Sequence, residues 1–192
     1  MTQEELEVLC REKVSKKRFR HILGVKEQAV LLARRYGADE QKCITAALLH
    51  DITKEMKFEE QLQMILKADS HTSEIILHST PLYHALTGAI YAKEVLHIED
   101  EDILNAVRYH TIARAGMSKL EKIIFIADAT SIDRKYKDVE YFRELSFKNL
   151  DLCMLEMLRN DMRRLLKDDC LIPVDTINAY NSLSLELGTK KA

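Results

Sequence analysis

Six side chains of metal-ligating type stand within largely apolar stretches of the sequence. They are four histidines and two aspartates: His21, His50, Asp51, His84, His110 and Asp128. A buried imidazole or carboxylate must be hydrogen-bonded or bound to a metal, because its loss of hydration is otherwise costly. Apart from the adjacent His50 and Asp51, the six are far apart in the sequence, so no local motif explains them. Facing helices of a bundle can bring such side chains together. We therefore predict that all six are metal ligands.

Four imidazoles and two carboxylates suit a pair of divalent cations with Asp51 shared between them. Two such cations and a bridging hydroxide would leave a net positive charge, which favours a phosphate ester or anhydride as substrate. A bound cation lowers the pKa of water toward ~7, and two cations about 3.5–4 Å apart can hold the phosphoryl oxygens. Imidazole-rich sites favour iron, manganese, cobalt, nickel or zinc over magnesium. His50 and Asp51 are accordingly predicted to be catalytic.

Cationic and aromatic side chains near this set could bind a phosphate-containing substrate. Lys54 follows Asp51 by about one helical turn, so its ammonium could neutralise a phosphate oxygen, and we predict both a catalytic and a substrate-binding role. A guanidinium binds phosphate through two parallel hydrogen bonds, and an aromatic ring can stack on a nucleobase. The candidates for these two roles are Arg20, Arg134 and Tyr109, with Arg18 and Arg114 as further candidates.

Each of these residues also has an ordinary structural interpretation. A single histidine in an apolar helix is more often a satisfied core or surface side chain than a ligand. Lys54 and Arg20, taken singly, are more often solvated charges, and Asp128 could cap the turn after its helix. The remaining histidines, His71, His78 and His97, stand in polar surroundings and are predicted to be surface groups.

The elements that would position these residues are predicted to be helices. With only five Gly and two Pro in 192 residues, the chain has few of the turn residues that β-rich folds need. Apolar residues recur at helical spacing, which indicates an all-α, compact helical bundle. The predicted helices cover about residues 2–14, 21–36, 39–51, 54–69, 70–79, 80–96, 100–110, 120–129, 141–166 and 173–188. We expect one domain over 1–192, with a core at about 16–140 and C-terminal helices at 141–187 packing on it.

Composition excludes several other classes of function. The formal net charge of −2, from 29 basic and 31 acidic residues, gives no reason to expect nucleic-acid binding. Four scattered cysteines indicate reduced thiols rather than disulfides or a structural zinc site. No apolar run is long enough for a signal peptide or a membrane span, so we expect a cytoplasmic protein that binds no membrane. Exposed Leu and Tyr side chains on the final helices would allow a homodimer.

Several motifs, in this order, resemble those of the YqeK family of HD-domain metal-dependent phosphohydrolases. They lie at residues 20–25, 47–54, 84–89, 106–111, 116–128 and 172–181. The resemblance implies an all-α HD fold and symmetrical hydrolysis of diadenosine tetraphosphate to two ADP, with iron as the metal. It also implies one ion held by His21, His50, Asp51 and Asp128, and a second held by His84, His110 and the shared Asp51.

One departure from this family lies directly after Asp128. The family usually has a Tyr-Ile-Glu-Pro run, and this chain has Ala129, Thr130, Ser131 and Ile132 instead. Ser131 therefore replaces a carboxylate that could orient a ligand or a water. Alternative functions are hydrolysis of another nucleotide, such as a deoxynucleoside triphosphate, ppGpp or a phosphomonoester, or nucleotide sensing with weak catalysis. A purely structural helical protein is the remaining interpretation.

Overall fold

The computed structural model describes residues 1–68 and 72–188. This part of the chain forms eleven α-helices and one short 3-10 helix, and it contains no β-strand, which confirms the all-α fold class. The α-helices are α1 (Gln3–Lys13), α2 (Lys16–Tyr36), α3 (Glu40–Leu49), α4 (Phe58–Ala68), α5 (Glu74–Leu77), α6 (Tyr83–Glu94), α7 (Glu101–Tyr109), α8 (Lys119–Thr130), α9 (Val139–Lys148), α10 (Leu150–Lys167) and α11 (Val174–Glu186). The 3-10 helix (Thr80–Leu82) leads directly into α6. No helix in these ranges is long and apolar enough to cross a membrane.

The helices around the predicted ligands pack directly against one another. Helix α2 packs on α3 and α8, and α7 packs on α3, α6 and α8. Helix α4 covers α6, while α9 and α10 lie against α8, and α11 lies against α10. One apolar core runs through this arrangement, from Leu6 in α1 to Leu183 in α11. The predicted ligand helices therefore share one interior.

Gly88 allows α6 to approach its neighbours closely. A β-carbon at this position would lie 3.1 Å from Val107 Cγ1 on α7 and 3.4 Å from the carbonyl oxygen of Leu49 at the end of α3. Both distances are tight for a side-chain contact. The absence of a side chain thus brings the first turn of α6, which carries His84, toward the end of α3, which is followed by His50.

The predicted helix at 54–69 begins later than expected. Helix α4 starts at Phe58, and the chain after α3 forms successive tight turns. The backbone amides of Ile52, Lys54 and Met56 each bond to the carbonyl oxygen three residues earlier. These turns form because His50 and Asp51, which follow α3, are held toward the interior, so the chain does not continue the helix there. Residues 69–71, and with them the prediction for His71, lie outside the described ranges, whereas His78 and His97 are exposed as predicted.

The predicted single helix at 141–166 is two helices, α9 and α10, that meet at Asn149. Asn149 is extended, with φ −155° and ψ 108°, and its side chain accepts a hydrogen bond from the backbone amide of Leu152. Asparagine competes with the backbone for hydrogen bonds and is a favoured N-cap, which explains the break. The apolar spacing of Leu145 and Leu152 continues across this break, so the pattern alone did not reveal it.

Candidate metal centre

The structure brings all six predicted ligands together from five helices. His21 lies in α2, His84 in α6 and Asp128 in α8, while the other three directly follow α3 or α7. The cluster is the set His21, His50, Asp51, His84, His110 and Asp128. Five of its members are no more than 5% exposed, and the Asp128 side chain is 19% exposed. The cluster is therefore almost completely removed from water.

Asp51 lies at the middle of the cluster. Its Oδ1 is 3.2 Å from His84 Nε2 and 3.9 Å from His110 Nε2. Its Oδ2 is 3.5 Å from His50 Nε2 and 3.7 Å from His21 Nε2. The two carboxylate oxygens thus face different pairs of imidazoles. Potential ligand atoms form two groups of three residues, each within 4.8 Å, and Asp51 belongs to both groups.

An arginine contacts each carboxylate of the cluster. Arg18 Nη1 donates to Asp51 Oδ2 at 2.7 Å. Arg134 Nη2 donates to Asp128 Oδ1, and Arg134 Nε donates to the Asp128 carbonyl oxygen at 2.9 Å. On its other side, Asp128 Oδ1 lies 3.0 Å from His21 Nε2. Both arginines hold the carboxylates in place, and Arg134 also helps to keep Asp128 ionised.

Backbone carbonyl groups orient two of the imidazoles. His50 Nδ1 lies 2.6 Å from the carbonyl oxygen of Ala47, and His110 Nδ1 lies 2.7 Å from that of Val107. A carbonyl oxygen can only accept, so both Nδ1 atoms carry the hydrogen. In the neutral ring, the lone pair is then on Nε2, which faces the cluster.

Asp133 orients a third imidazole and was not among the sequence candidates. Its Oδ2 lies 3.0 Å from His21 Nδ1, and its Oδ1 accepts a hydrogen bond from the Ser131 hydroxyl at 2.7 Å. A carboxylate two residues after position 131 therefore orients a predicted ligand, and Ser131 holds it. The signal in the sequence was the Ser-Ile-Asp run after Asp128, in which a second carboxylate lies close enough to serve the same histidine.

Burial and neighbouring charges set the protonation of the cluster. Burial lowers the pKa of His84 to about 2 and that of His110 to about 4, with neighbouring imidazoles acting in the same direction. Burial also acts to lower the pKa of His50, but the adjacent Asp51 carboxylate outweighs it and raises that pKa. For Asp51 and Asp128, burial is outweighed by the surrounding imidazoles and, for Asp128, also by Arg134, so both pKa values are lowered. Neutral His84 and His110 beside ionised carboxylates are the forms that bind metal ions.

The donor set fits divalent metal ions. His21 Nε2 and His50 Nε2 are buried and have no hydrogen-bond partner among the described residues, although His21 Nε2 lies close to Asp128. Unpaired buried nitrogen atoms are costly, and a metal ion would satisfy both. The cluster offers only nitrogen and oxygen atoms, which suits a catalytic transition-metal site more than a closed structural zinc site.

Comparison with known proteins agrees with this geometry. Residues 18–133 match the family model for the HD domain. The chain belongs to the HD-domain family. Two relatives are named symmetrical bis(5'-nucleosyl)-tetraphosphatase: one from Halalkalibacterium halodurans, 38% identical over 93% of this chain and 95% of the relative, and one from Bacillus subtilis, 33% identical over 95% and 98%. These near-full-length relatives confirm the YqeK-type resemblance.

A solved structure is similar to this HD-domain chain over nearly its whole length. It comes from Clostridium acetobutylicum and is described as a predicted HD superfamily hydrolase involved in NAD metabolism. The TM-score is 0.93 with 32% sequence identity, covering 97% of this chain and 98% of that chain. The fold described above is therefore an HD fold.

A cavity of about 640 Å³ opens beside the cluster, and we call it the cluster cavity. Lys54 and Arg134, both predicted to bind substrate, line it together with His84, His110 and Asp128. Lys54 Nζ lies 2.9 Å from His84 Nδ1. Burial lowers the pKa of Lys54, and the Asp51 carboxylate opposes this shift. Two cationic side chains therefore lie at the wall between the cluster and a space large enough for a nucleotide.

The other predicted substrate residues lie elsewhere. Arg20 is exposed and makes no hydrogen bond or ion pair with any described residue, whereas Arg18 contacts the cluster. Tyr109 is half-buried and does not line the cluster cavity; the guanidinium of Arg114 lies 5.2 Å from its ring centroid. Arg114 itself makes two 2.7 Å hydrogen bonds to the buried Glu121. Tyr109 and Arg114 thus take part in packing between α7 and α8.

Proposed function

We propose that this chain hydrolyses diadenosine tetraphosphate symmetrically to two ADP. The observation that carries the proposal is the buried cluster in which two groups of ligand atoms share Asp51 beside a cavity lined by Lys54 and Arg134. The names of the near-full-length relatives support the same substrate. Hydrolysis at the centre gives two ADP because water adds to one inner phosphorus atom and the central bridging oxygen leaves with the other half.

The cluster would hold two divalent ions, and we propose iron for both. His21, His50 and Asp51, with Asp128, would bind one ion, and His84, His110 and the shared Asp51 would bind the other. When bound, two such ions supply a water nucleophile of lowered pKa and neutralise the oxygens of the reacting phosphoryl group.

The cationic side chains of the cluster cavity bind and orient the phosphate chain in this proposal. Lys54, next to His84, places its ammonium where an inner phosphate oxygen would lie, and it neutralises the charge on the departing ADP. Arg134 fixes Asp128 through its guanidinium and is 39% exposed toward the cavity, so it can also approach a phosphate oxygen. Burial of the cluster excludes bulk water from the reacting bond.

Anaerobic purification, metal analysis and incubation with diadenosine tetraphosphate test the proposal. We expect ADP as the sole nucleotide product, with about two metal ions per chain. A variant with both His50→Ala and Asp51→Ala should lose the metal and the activity. His97→Asn, which removes an exposed imidazole outside the cluster and its cavity, should lose neither. ATP and AMP as products would contradict symmetrical cleavage, and bound metal without turnover would contradict the substrate.

A further inference from the structure

A second cavity of about 450 Å³ lies next to the cluster cavity, and we call it the side cavity. Its volume falls in the range of roughly 300–1,000 Å³ that small-molecule sites have. The 3-10 helix, the residues after α7, the C-terminal half of α10 and the segment leading to α11 surround it. Its apolar lining includes Leu82, Ile112, Leu158, Leu165, Leu171 and Pro173.

The two cavities meet along a shared wall. Pro81, Leu82, Thr111, Asp161 and Arg164 line both of them. A ligand that is anchored in the cluster cavity can therefore continue into the side cavity along this wall. Helix α10 supplies part of this wall, so the C-terminal helices contribute to the space beside the cluster as well as to the core.

The shared wall contains an unused hydrogen-bonding group. Thr111 Oγ1 is buried and makes no hydrogen bond with any described residue. A buried hydroxyl that lacks a partner loses free energy, and a turn of the Thr111 side chain toward the wall would let a ligand restore the bond. Asp161 lies on the same wall, 3.9 Å from Arg164, and its carboxylate can accept hydrogen bonds. A hydroxyl and a carboxylate together can bind the two hydroxyls of a ribose.

The charges of the two cavities differ in a way that separates phosphate from nucleoside. Three cationic side chains line the cluster cavity alone, against two carboxylates, so its net charge favours the phosphate chain; the cations are Lys54, Arg134 and Lys137, and the carboxylates are Asp128 and Asp138. The side cavity has an apolar lining, and the carboxylates of Asp161 and Asp169 outnumber the guanidinium of Arg164 there. An apolar space of this kind accepts a purine base and disfavours phosphate.

We infer that the side cavity binds one nucleoside of the dinucleotide, with its base against the apolar lining and its ribose at Thr111 and Asp161. The inference rests on the proposed function, because a substrate cut at its centre has a nucleoside on each side of the cluster. The other nucleoside remains within the cluster cavity. The side cavity thereby distinguishes a dinucleotide from a mononucleotide.

Cys170 provides a chemical probe of the side cavity. It lines this cavity and is exposed, whereas Cys10, Cys43 and Cys153 are buried. A bulky maleimide attached to Cys170 should raise KM for diadenosine tetraphosphate by roughly tenfold or more, since a blocked hydrophobic pocket costs that much. Inhibition by ADP, whose single nucleoside can lie in the cluster cavity, and the metal content should change much less than this KM.

Two controls make the outcome decisive. Cys170→Ser should show the same KM before and after treatment with the same maleimide. Thr111→Val, which preserves shape and removes the hydroxyl, should raise KM without any labelling. An unmodified enzyme that forms no ADP would overturn the proposed function itself. An unmodified enzyme that forms ADP, and keeps its KM after complete labelling of Cys170, would overturn the side-cavity inference alone.

Discussion

The imidazoles of the cluster are oriented by different kinds of partner. His50 and His110 donate to backbone carbonyl groups one turn earlier, so the helix itself fixes their rings. His21 depends on a side chain, Asp133, which in turn accepts from Ser131. A carboxylate behind a ligating imidazole fixes its ring and increases its basicity. Asp133 is thus a positioning residue that substitution can remove without touching a ligand.

Removal of Asp133 should weaken metal binding. We expect Asp133→Ala to lower metal affinity by roughly 10–100-fold, the usual loss for such a partner, because the His21 ring is then free to rotate. Competition with a chromophoric chelator measures this directly, independent of turnover. Ser131→Ala should have a smaller effect, since Asp133 keeps its contact with His21. Equal affinities for Asp133→Ala and the unaltered protein would show that His21 needs no such partner.

At the residue scale, the sequence predicted the members of the cluster but not the contact of Arg18 with Asp51. All six members of the cluster were identified from residue type and apolar context, and the structure places them together. Arg20 adjoins His21 in the sequence, but residues three apart share a helix face and adjacent ones do not, so Arg18 is the arginine that contacts the cluster. The predicted helix begins at His21, whereas α2 begins at Lys16 and so places Arg18 and His21 on one helical face.

At the scale of helices, periodicity predicted the elements and missed some of their ends. Apolar spacing predicts which residues lie inside, and it continues across a cap such as Asn149 without interruption. The turns after α3 depend on hydrogen bonds between residues three apart, and their cause is the burial of His50 and Asp51 rather than any local turn residue. Apolar spacing therefore could not predict the helix ends that depend on tertiary contacts.

A side chain at Gly88 should disturb the cluster through helix packing. We expect Gly88→Val to lower the free energy of unfolding by about 1–3 kcal/mol, because the new methyl groups meet Val107 and the carbonyl of Leu49. Metal affinity should fall as well, since α6 carries His84. Denaturant unfolding and chelator competition measure the two effects.

Gly37→Ala is the matched control for this prediction. Gly37 ends α2 with φ +62°, and no atom lies within 4 Å of where its β-carbon would be. The left-handed backbone makes alanine unfavourable there by roughly 1–2 kcal/mol. The control should therefore lose stability and keep its metal affinity. If Gly88→Val were also to keep its metal affinity, the close approach of α6 would not position His84.

At the scale of the whole molecule, the cluster joins five helices from distant parts of the sequence. Burial explains why each polar residue needs a partner, but it does not say which helices face one another. The relative placement came from the ordered motifs that resemble the YqeK family, and the structure agrees with that order. The side cavity depends on where α10 lies relative to α7, which neither periodicity nor the motifs indicated.

The cluster should make the metal-free protein less stable in acid. The pKa values of His84 and His110 are lowered to about 4 or less, whereas an unfolded histidine has a pKa of about 6.5. Between these values the unfolded chain binds more protons, so stability falls as pH falls. His50, with its raised pKa, acts in the opposite direction, but the two lowered pKa values outweigh the one that is raised. Asp51 and Asp128 contribute below about pH 4, outside this window.

Thermal unfolding of chelator-treated protein at about pH 7.5 and pH 5 tests this expectation. The Tm should be lower at the acidic pH, and a variant with both His84→Gln and His110→Asn should lose most of this difference, because its side chains no longer titrate. Added metal should raise Tm at neutral pH in a concentration-dependent way, since it binds the folded cluster in preference to the unfolded chain. A Tm that is equal or higher at pH 5 would mean that His84 and His110 accept protons in the folded state. The cluster would then be open to water in solution, and metal binding could not depend on a dry, preformed set of imidazoles.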